Sequence, residues 1–315
     1  MLVSPYLKER CVWAGQEDVY SASNDLIAKF LCIQVNSMQV HRMTNHYGAI
    51  SEKLVNSDSA KSLELTDTEV VYAQVDGGMV LTREEKWQEV KVGRVFKQSD
   101  IVKESKNRNS IRQSLYTAHL GNCETFCAEF KPLVDTFADI GDRLVFLSDG
   151  AVWIKNWNVS NYPHATHILD FFHATEYLNK WSEWIFSDKT MQTSTYETNK
   201  AILLKQGGEV LVEHLKIEQQ ANTTSSETRK KEQDKILNYL INNTFRMDYP
   251  TYRARGLCIG SGAIEAAHKT VVQKRMKRSG QHWSVDNVQN MLNLRTVKMS
   301  GQWDKIISLV RAKAA

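Results

Sequence analysis

The sequence lacks several features that would assign the chain to a class at once. No apolar run approaches the roughly 20 residues that a membrane-spanning helix needs. The first residues, MLVSPYLKERC, contain no apolar segment of the kind found in secretory signals. These absences argue against a membrane-spanning or secreted class and lead us to expect a cytoplasmic protein.

Cysteine is also scarce, and the charge is nearly balanced. The five cysteines are scattered, and an odd number without a secretory signal argues against a disulfide framework. No C-x-x-C pair is present to hold a structural zinc, so we expect reduced thiols. The net charge is only +4, so a nucleic-acid-binding surface must be a local cluster of cations.

Residues 1–66 have the pattern of a helical region. SASNDLIAKFL begins with residues typical of helix caps and continues with apolar residues at helical spacing. After a short break, NSMQVHRMTNHYG predicts a second helix that Gly48 closes. This is the outline of a helix-turn-helix, whose second helix would present Arg42 to DNA. The alternative is a helical hairpin used for packing or dimerisation.

Residues 68–187 predict alternating strands and helices. VVYAQVDGG, MVLT and WQEVKVGRVFKQ indicate three strands joined by tight turns, the third with one drier face. NCETFCAEFKPLVDTFAD predicts a helix, DRLVFLSD a central strand, ATHILD a strand and FFHATEYLNKWSEWIF a helix. The order indicates an α/β fold: a mixed sheet with helices on both faces.

Two apolar runs reach the same dipeptide, Asp-Gly. VVYAQVDGGMVL reaches it at Asp76, and LVFLSDGAVWI reaches it at Asp149. Asp-Gly is typical of a hairpin turn, because both residues tolerate positive φ. The functional alternative is a ligand site, since open α/β sheets bind ligands at the carboxyl ends of their strands.

A third carboxylate begins a late helix. In GLCIGSGAIEAAHKTVVQKRMKRSGQHWS, Gly260-Ser261-Gly262 predicts a helix start with Glu265 in the first turn. The structural alternative for Glu265 is a capping or helix-dipole role. A run of cations and one aromatic residue follow it: Lys269, Lys274, Arg275, Lys277, Arg278 and Trp283. Such a run suits DNA phosphates and an unstacked base, whereas its structural alternative is a solvated face.

The three carboxylates suggest metal-dependent chemistry. Carboxylates that converge at one sheet edge form an oxygen-rich site for hard divalent cations. Two Mg²⁺ ions there would activate an attacking hydroxyl and stabilise the leaving oxygen of a phosphodiester. A hydrolase that uses Ser261 as nucleophile is a weaker alternative, because Ile259 replaces the first glycine of G-x-S-x-G.

Several motifs between about residues 68 and 295 resemble the DDE-type transposases of bacterial insertion sequences, most closely the ISKra-type group of the Mutator-like superfamily. The matching stretches are VDGGMV with WQEVKVGRVF, SDGAVWI, ILDFFHATEYL and GSGAIEAAHKTVVQKRMKRSGQHWS. The resemblance implies a ribonuclease H-like core with a catalytic triad, Asp76, Asp149 and Glu265, that binds two Mg²⁺ ions or Mn²⁺ in their place. DFFH looks like the Asp-x-x-His signature of that superfamily, which implies Asp170 and His173 as active-site supports.

Pattern and resemblance together predict four regions. They are a helical DNA-binding region (1–66), the first part of the core (67–187), a polar helical insertion around the flexible tip ANTTSS (188–249) and the glutamate helix with a basic C-terminal part (250–315). The implied function is Mg²⁺-dependent strand cleavage and strand transfer at terminal inverted repeats, in the bacterial cytoplasm. The implied partners are element ends, target DNA and further copies of the chain on DNA. The alternative is a decayed or truncated transposase that only binds DNA.

Overall fold

The computed structural model describes residues 3–55, 65–105, 108–222 and 226–312. The helices are α1 (Pro5–Glu17), α2 (Tyr20–Leu31), α3 (Ser37–Val55), α4 (Cys123–Asp135), α5 (Val152–Asn161), α6 (Phe171–Ile185), α7 (Lys189–Gln206), α8 (Gly208–Ala221), α9 (Glu227–Ile241), α10 (Tyr249–Ala254), α11 (Gly262–His268), α12 (Lys274–Met276), α13 (Val285–Met299) and α14 (Trp303–Ala312). The strands are β1 (Val71–Thr82), β2 (Lys86–Lys97), β3 (Ile101–Ser105), β4 (Arg108–Ile111), β5 (Leu115–Leu120), β6 (Leu144–Ser148) and β7 (Thr166–Leu169).

The chain is a mixed α/β protein that divides into two compact units. The first unit combines Met1–Leu144 with Ala263–Ala315, and the second unit is Val145–Gly262. The first unit therefore joins the N-terminal helices, the early strands and the C-terminal helices. These limits differ from the predicted ones, which set 1–66 apart as a region of its own.

Antiparallel pairing orders three strands of the first unit as β5-β2-β1. β1 is one continuous strand, whose pairing with β2 runs from Val71 opposite Lys97 to Thr82 opposite Lys86. The prediction of two strands with a turn at Asp76 was therefore wrong: Asp76 lies inside β1, opposite Val92. Cross-strand pairing on both sides of the dipeptide keeps the backbone extended there. β3 and β4 form a separate antiparallel hairpin.

β2 is buried on both of its faces, so the prediction of one drier face was wrong. Val90 to Phe96 are all buried, although the segment contains two cationic residues. Arg94 donates from Nε to Ser114 Oγ at 3.0 Å, and Lys91 donates from Nζ to the Gly121 carbonyl at 2.6 Å. These hydrogen bonds satisfy the donors, as buried cations require.

The N-terminal helices pack against the C-terminal helices of the same unit. Ser4 caps α1 through a hydrogen bond from Leu7 N, and Pro5 occupies its first turn. α3 contacts α1 and α13. The prediction that Gly48 closes this helix was wrong, since α3 continues to Val55. Gly48 lies against the backbone of Asn290, where a Cβ would come within 2.8 Å of the carbonyl carbon.

The second unit begins with two parallel strands. β6 pairs with β7 in parallel, with Val145 opposite Thr166 and Ser148 opposite Leu169, and α5 connects them. β6 is fully buried, as expected for a strand covered on both faces. The polar segment 188–249 is helical in its described residues, and 223–225 of the ANTTSS tip lie outside them. Its apolar residues Leu211, Leu215, Ile236 and Leu240 are buried, whereas Ile241 is 39% exposed.

The helix that starts at Gly262 is short and irregular. α11 ends at His268, a π-helical segment covers Lys269–Gln273, and α12 ends at Met276. α13 then begins after Ser284, which caps it through a hydrogen bond from Asn287 N. The five cysteines are free thiols, as expected. No helix in the described parts of the chain is long and apolar enough to cross a membrane.

Candidate functional site

Asp76 lies where the residues of β1 change from buried to exposed. Val71 to Val75 are buried, whereas Asp76 to Met79 are partly or fully exposed. The Asp76 carboxylate accepts a hydrogen bond from Gly77 N through Oδ1 at 2.8 Å. The strand thus presents a carboxylate at the edge of its buried segment.

His268 links this part of β1 to the helix that carries Glu265. His268 is 3% exposed, and its ring lies against Gly78, where a Cβ would be 2.7 Å from Nε2 and 2.9 Å from Nδ1. Burial lowers the pKa of His268, and the nearby charge of Asp76 opposes that shift. Sequence reasoning missed His268, although it follows Glu265 by three residues in a helix and so shares its face.

Glu265 lies in the first turn of α11, as predicted, and is exposed. Arg94 donates from Nη1 to the carbonyl of Ala263 at 2.5 Å, which ties the start of α11 to β2. Asp76 precedes Gly78 by two residues, and Glu265 precedes His268 by one turn. The Gly78–His268 contact therefore brings the segments that carry these two carboxylates together.

In the second unit, two acids directly follow the parallel strands. Asp149 follows β6, and Asp170 follows β7. Asp149 accepts a hydrogen bond from Ala151 N through Oδ1 at 3.0 Å, and its Oδ2 has no hydrogen-bond partner in the described part of the chain. The Asp170 amide donates to the carbonyl of Ser148 at 2.8 Å, so the ends of the two strands are adjacent.

The Asp170 carboxylate is a buried structural anchor. Asp170 is 3% exposed and caps α6 by accepting from His173 N at 2.6 Å. Its other oxygen accepts from Ser261 N. It therefore fixes both the start of α6 and the Gly-Ser-Gly segment. The His173 side chain is partly exposed, and its Nδ1 lies 3.8 Å from Glu176 Oε2.

Three residues that sequence reasoning missed surround Asp149. The Tyr239 and Tyr177 rings are stacked with centroids 3.8 Å apart, and the Tyr239 hydroxyl lies against Gly150. Burial and the charge of Asp149 raise the pKa of both tyrosines. Arg246 is buried, donates to Ser148 Oγ at 3.4 Å, and has its pKa lowered by burial. Tyr239 and Arg246 belong to the segment predicted to be a solvated insertion, so their polarity concealed their packing.

The donor chemistry of the three predicted ligands fits a hard divalent cation. Asp76, Asp149 and Glu265 offer carboxylate oxygens at exposed or partly exposed positions. Across the described ranges, no group of three or more His, Cys, Asp or Glu side chains is placed to hold a metal ion together. Asp76 and Glu265 belong to the first unit and Asp149 to the second. The shared metal site therefore stays a prediction.

The predicted DNA-contacting cations divide into two groups. Arg42, Lys269 and Lys277 are exposed. Lys274 pairs with Glu17 at 3.1 Å, and Arg278 pairs with Asp18. These two ion pairs tie α12 and the segment that follows it to the end of α1. Lys269 starts the π-helical segment rather than extending the regular turns that carry Glu265.

Arg275 and Trp283 require a correction. They are 1% and 6% exposed, so neither side chain forms the surface track that the sequence predicted. The Arg275 guanidinium instead lies over the Trp283 ring, 4.9 Å from its centroid. A run of cations cannot reveal which member turns inward, because that depends on the aromatic residues folded against it.

The helices of the predicted helix-turn-helix are present. The first, α2, and the second, α3, are separated by the short break at residues 32–36. His41 packs edge-on against Tyr20 with ring centroids 5.0 Å apart, so it faces the interior of the unit. Arg42 is exposed and remains available to a partner. DNA recognition by this pair of helices stays a prediction.

Comparisons with known proteins identify no family for the chain. No protein-family model matches the chain, and no curated protein matches it.

Proposed function

We propose that the chain is a DDE-type transposase of a bacterial insertion sequence, with a ribonuclease H-like core that cleaves DNA and transfers strands. The observation that carries the proposal is the placement of Asp149 directly after the buried parallel strand β6. Asp170 occupies the same position after β7. The carboxyl ends of parallel strands are where α/β sheets bind ligands.

The proposed metal ligands are Asp76, Asp149 and Glu265. The contact of His268 with Gly78 supports the use of Asp76 and Glu265 together, and the family resemblance supplies their joint use with Asp149. Two Mg²⁺ ions, or Mn²⁺ in their place, would activate the attacking hydroxyl and stabilise the leaving oxygen of a phosphodiester.

Other side chains would position these ligands and the DNA. Asp170 would hold the Ser261 amide and, with it, the Gly-Ser-Gly segment. Tyr239 would offer its hydroxyl to a substrate oxygen beside Gly150, because that hydroxyl is buried without a hydrogen-bond partner. Arg246 would add a positive charge at the end of β6. His173, at the first turn of α6, is a further support.

The proposed partners are the element's terminal repeats and target DNA. The exposed cations Arg42, Lys269 and Lys277 support contact with phosphates. The chain would oligomerise on DNA, because two element ends must be processed together. A decayed transposase that only binds DNA is the second candidate, and the experiment below separates the two.

The proposal is tested by a nicking assay on DNA that carries the element's own ends, with Mg²⁺ or with EDTA. Asp76→Asn, Asp149→Asn and Glu265→Gln should each lower Mg²⁺-dependent cleavage by at least about 10²-fold, because each removes charge that stabilises the transition state. DNA binding measured in EDTA should stay within about twofold of wild type, since these changes leave the cationic surface intact.

Matched controls remove exposed carboxylates elsewhere. Asp304→Asn on α14 and Glu209→Gln on α8 should cleave like wild type. Near wild-type cleavage by one triad variant would remove that residue from the site. Wild-type protein that binds element ends but never cleaves them would favour the binding-only function.

A further inference from the structure

The first unit contains a cavity of about 330 Å³ beside the start of α13. Its lining brings together residues that are far apart in the sequence. They include Tyr20, His41, Arg83, Arg275, Trp283 and Asn287. Two of these residues are arginines and none is acidic, so the cavity has a positive lining.

Among the residues that the structure describes, Arg275 is a buried cation without a carboxylate partner. Its guanidinium lies between the rings of Tyr20 and Trp283, 4.9 Å from each centroid. Nε donates to the carbonyl of Gly15 at 3.0 Å, and Nη1 donates to the amide oxygen of Gln281 at 3.2 Å. Nη2 has no hydrogen-bond partner. Burial lowers the pKa of Arg275 to about 10, so it is charged at neutral pH.

Two further donors beside Arg275 also lack an acceptor. The Tyr20 hydroxyl and His41 Nδ1 are buried without a partner. Asn287 Nδ2, which can only donate, lies 3.3 Å from His41 Nε2. Nε2 is therefore the acceptor of the neutral ring, and the proton is on Nδ1. Three unpaired donors around one cavity indicate that the missing partner is an acceptor.

Three acids that neighbour the lining residues are bound to other groups. Asp18 pairs with Arg278, and Glu17 pairs with Lys274. Glu84 accepts from Val285 N at 3.1 Å, at the first turn of α13. In the part of the chain that the structure describes, none of them forms an ion pair with Arg83 or Arg275. The two arginines therefore have no ion-pair partner among these acids, and an external anion can supply one.

We propose that this cavity binds a phosphate group through Arg275, Tyr20 and His41, with Arg83 at its exposed rim. A tetrahedral phosphate offers enough oxygen atoms to accept from several donors at once, and arginine is well suited to phosphate. Because Arg83 is exposed, a larger molecule bound through its phosphate can extend into solvent. The phosphate belongs either to a DNA strand or to a free small molecule. The inference does not require that the chain cleaves DNA.

The test measures binding calorimetrically in EDTA, so that metal-dependent chemistry plays no part. The probes are inorganic phosphate and a short single-stranded oligonucleotide without terminal phosphates. Tyr20→Phe removes only the hydroxyl and should weaken binding about tenfold, as expected for a lost hydrogen bond to a charged group. Arg83→Gln should weaken it about two- to fivefold, because an exposed charge is screened by solvent.

Two matched variants serve as controls. Tyr6→Phe and Arg311→Gln change exposed residues outside the cavity and should bind like wild type. Weakening of both probes by Tyr20→Phe supports a site open to free phosphate. Weakening of the oligonucleotide alone supports a site for DNA phosphates.

Several results would overturn the inference. The inference fails if wild-type protein binds neither probe, or if the Tyr20→Phe variant binds both probes with unchanged affinity. Thermal melting provides an independent check. Tyr20→Phe should melt close to wild type, because its hydroxyl has no partner to lose. A large drop in melting temperature would show that the hydroxyl has a protein acceptor, and this result would also overturn the inference.

Discussion

The two Asp-Gly dipeptides share a sequence and differ in structure. Asp76-Gly77 lies inside the continuous strand β1, whereas Asp149-Gly150 follows the end of β6. Neither glycine has a positive φ, so neither dipeptide forms the turn for which Asp-Gly is known. Beyond Asp76-Gly77, the rest of β1 continues to pair with β2. Beyond Asp149-Gly150, the chain continues into α5. The same dipeptide can therefore lie inside a strand or after its end, and the neighbouring elements decide which.

The glycines of the two segments share a different role, which is close packing. Gly78 lies against the ring of His268, and Gly150 lies against the end of Tyr239. Both contacts involve large side chains that arrive from elements distant in the sequence. The contact at Gly78 is with a buried imidazole, whereas the contact at Gly150 is with a hydroxyl at the end of a partly exposed ring. The two sites should therefore respond unequally to an added methyl group.

The largest effect is expected at Gly78. Gly78→Ala should lower the free energy of unfolding by about 2–3 kcal/mol, because the new Cβ overlaps a buried ring that cannot move without displacing α11. Urea unfolding measures the change. Gly77→Ala is the matched control next to it and should cost less than about 1 kcal/mol, since the atom it meets is at the far end of the long, half-exposed Glu89 side chain and not in a buried ring. Equal costs at the two positions would contradict the packing role of Gly78.

A smaller effect is expected at Gly150. Gly150→Ala should cost about 1–2 kcal/mol, because its Cβ would overlap the Tyr239 hydroxyl and lie 2.5 Å from Cζ. A double-mutant cycle with Tyr239→Leu measures the coupling between the two positions. The cost of Gly150→Ala should largely vanish in the Tyr239→Leu background, which removes the overlapped atoms. An undiminished cost would show that Gly150 is needed for its backbone and not for the approach of Tyr239.

The smallest expected effect is a pH dependence of stability that arises at the β6–β7 pair beside Asp149 and not at β1. His167 on β7 stacks on Phe146 of β6, and its Nε2 hydrogen-bonds the Tyr162 carbonyl at 3.0 Å. Burial lowers the pKa of His167 in the folded state. Below the ordinary pKa near 6.5 the unfolded chain therefore takes up the proton first, and stability falls as the pH drops.

Urea unfolding between pH 8 and about pH 5 tests this expectation against the ordinary histidine range. His167→Gln should flatten the acid-side decline relative to wild type. His282→Gln, at an exposed position in the first unit, should leave the decline unchanged. An identical decline in wild type and in His167→Gln would assign the proton uptake to another group.

Local sequence patterns predicted much of the secondary structure. The apolar spacing at residues 21–31 predicted α2, and Asp149 and Asp170 were placed correctly at strand ends. The predicted caps were wrong, because Ser21 and Ser23 lie inside α2 and its N-cap, Val19, makes no side-chain capping hydrogen bond. The same reasoning failed for Gly48, which lies within α3 and packs against the backbone of Asn290 in α13. Sequence patterns also did not identify Tyr239, because the polar residues around it do not indicate that its ring stacks on Tyr177.

The sequence by itself determined the periodic elements and the kinds of atoms available: carboxylates at Asp76, Asp149 and Glu265, and a run of cations after them. These follow from local spacing and side-chain chemistry. Only the tertiary structure decided that β1 continues through its Asp-Gly and that Arg275 turns inward between two aromatic rings. Both depend on strand pairing and on burial against residues far along the chain, and such contacts leave no trace in a short stretch of sequence.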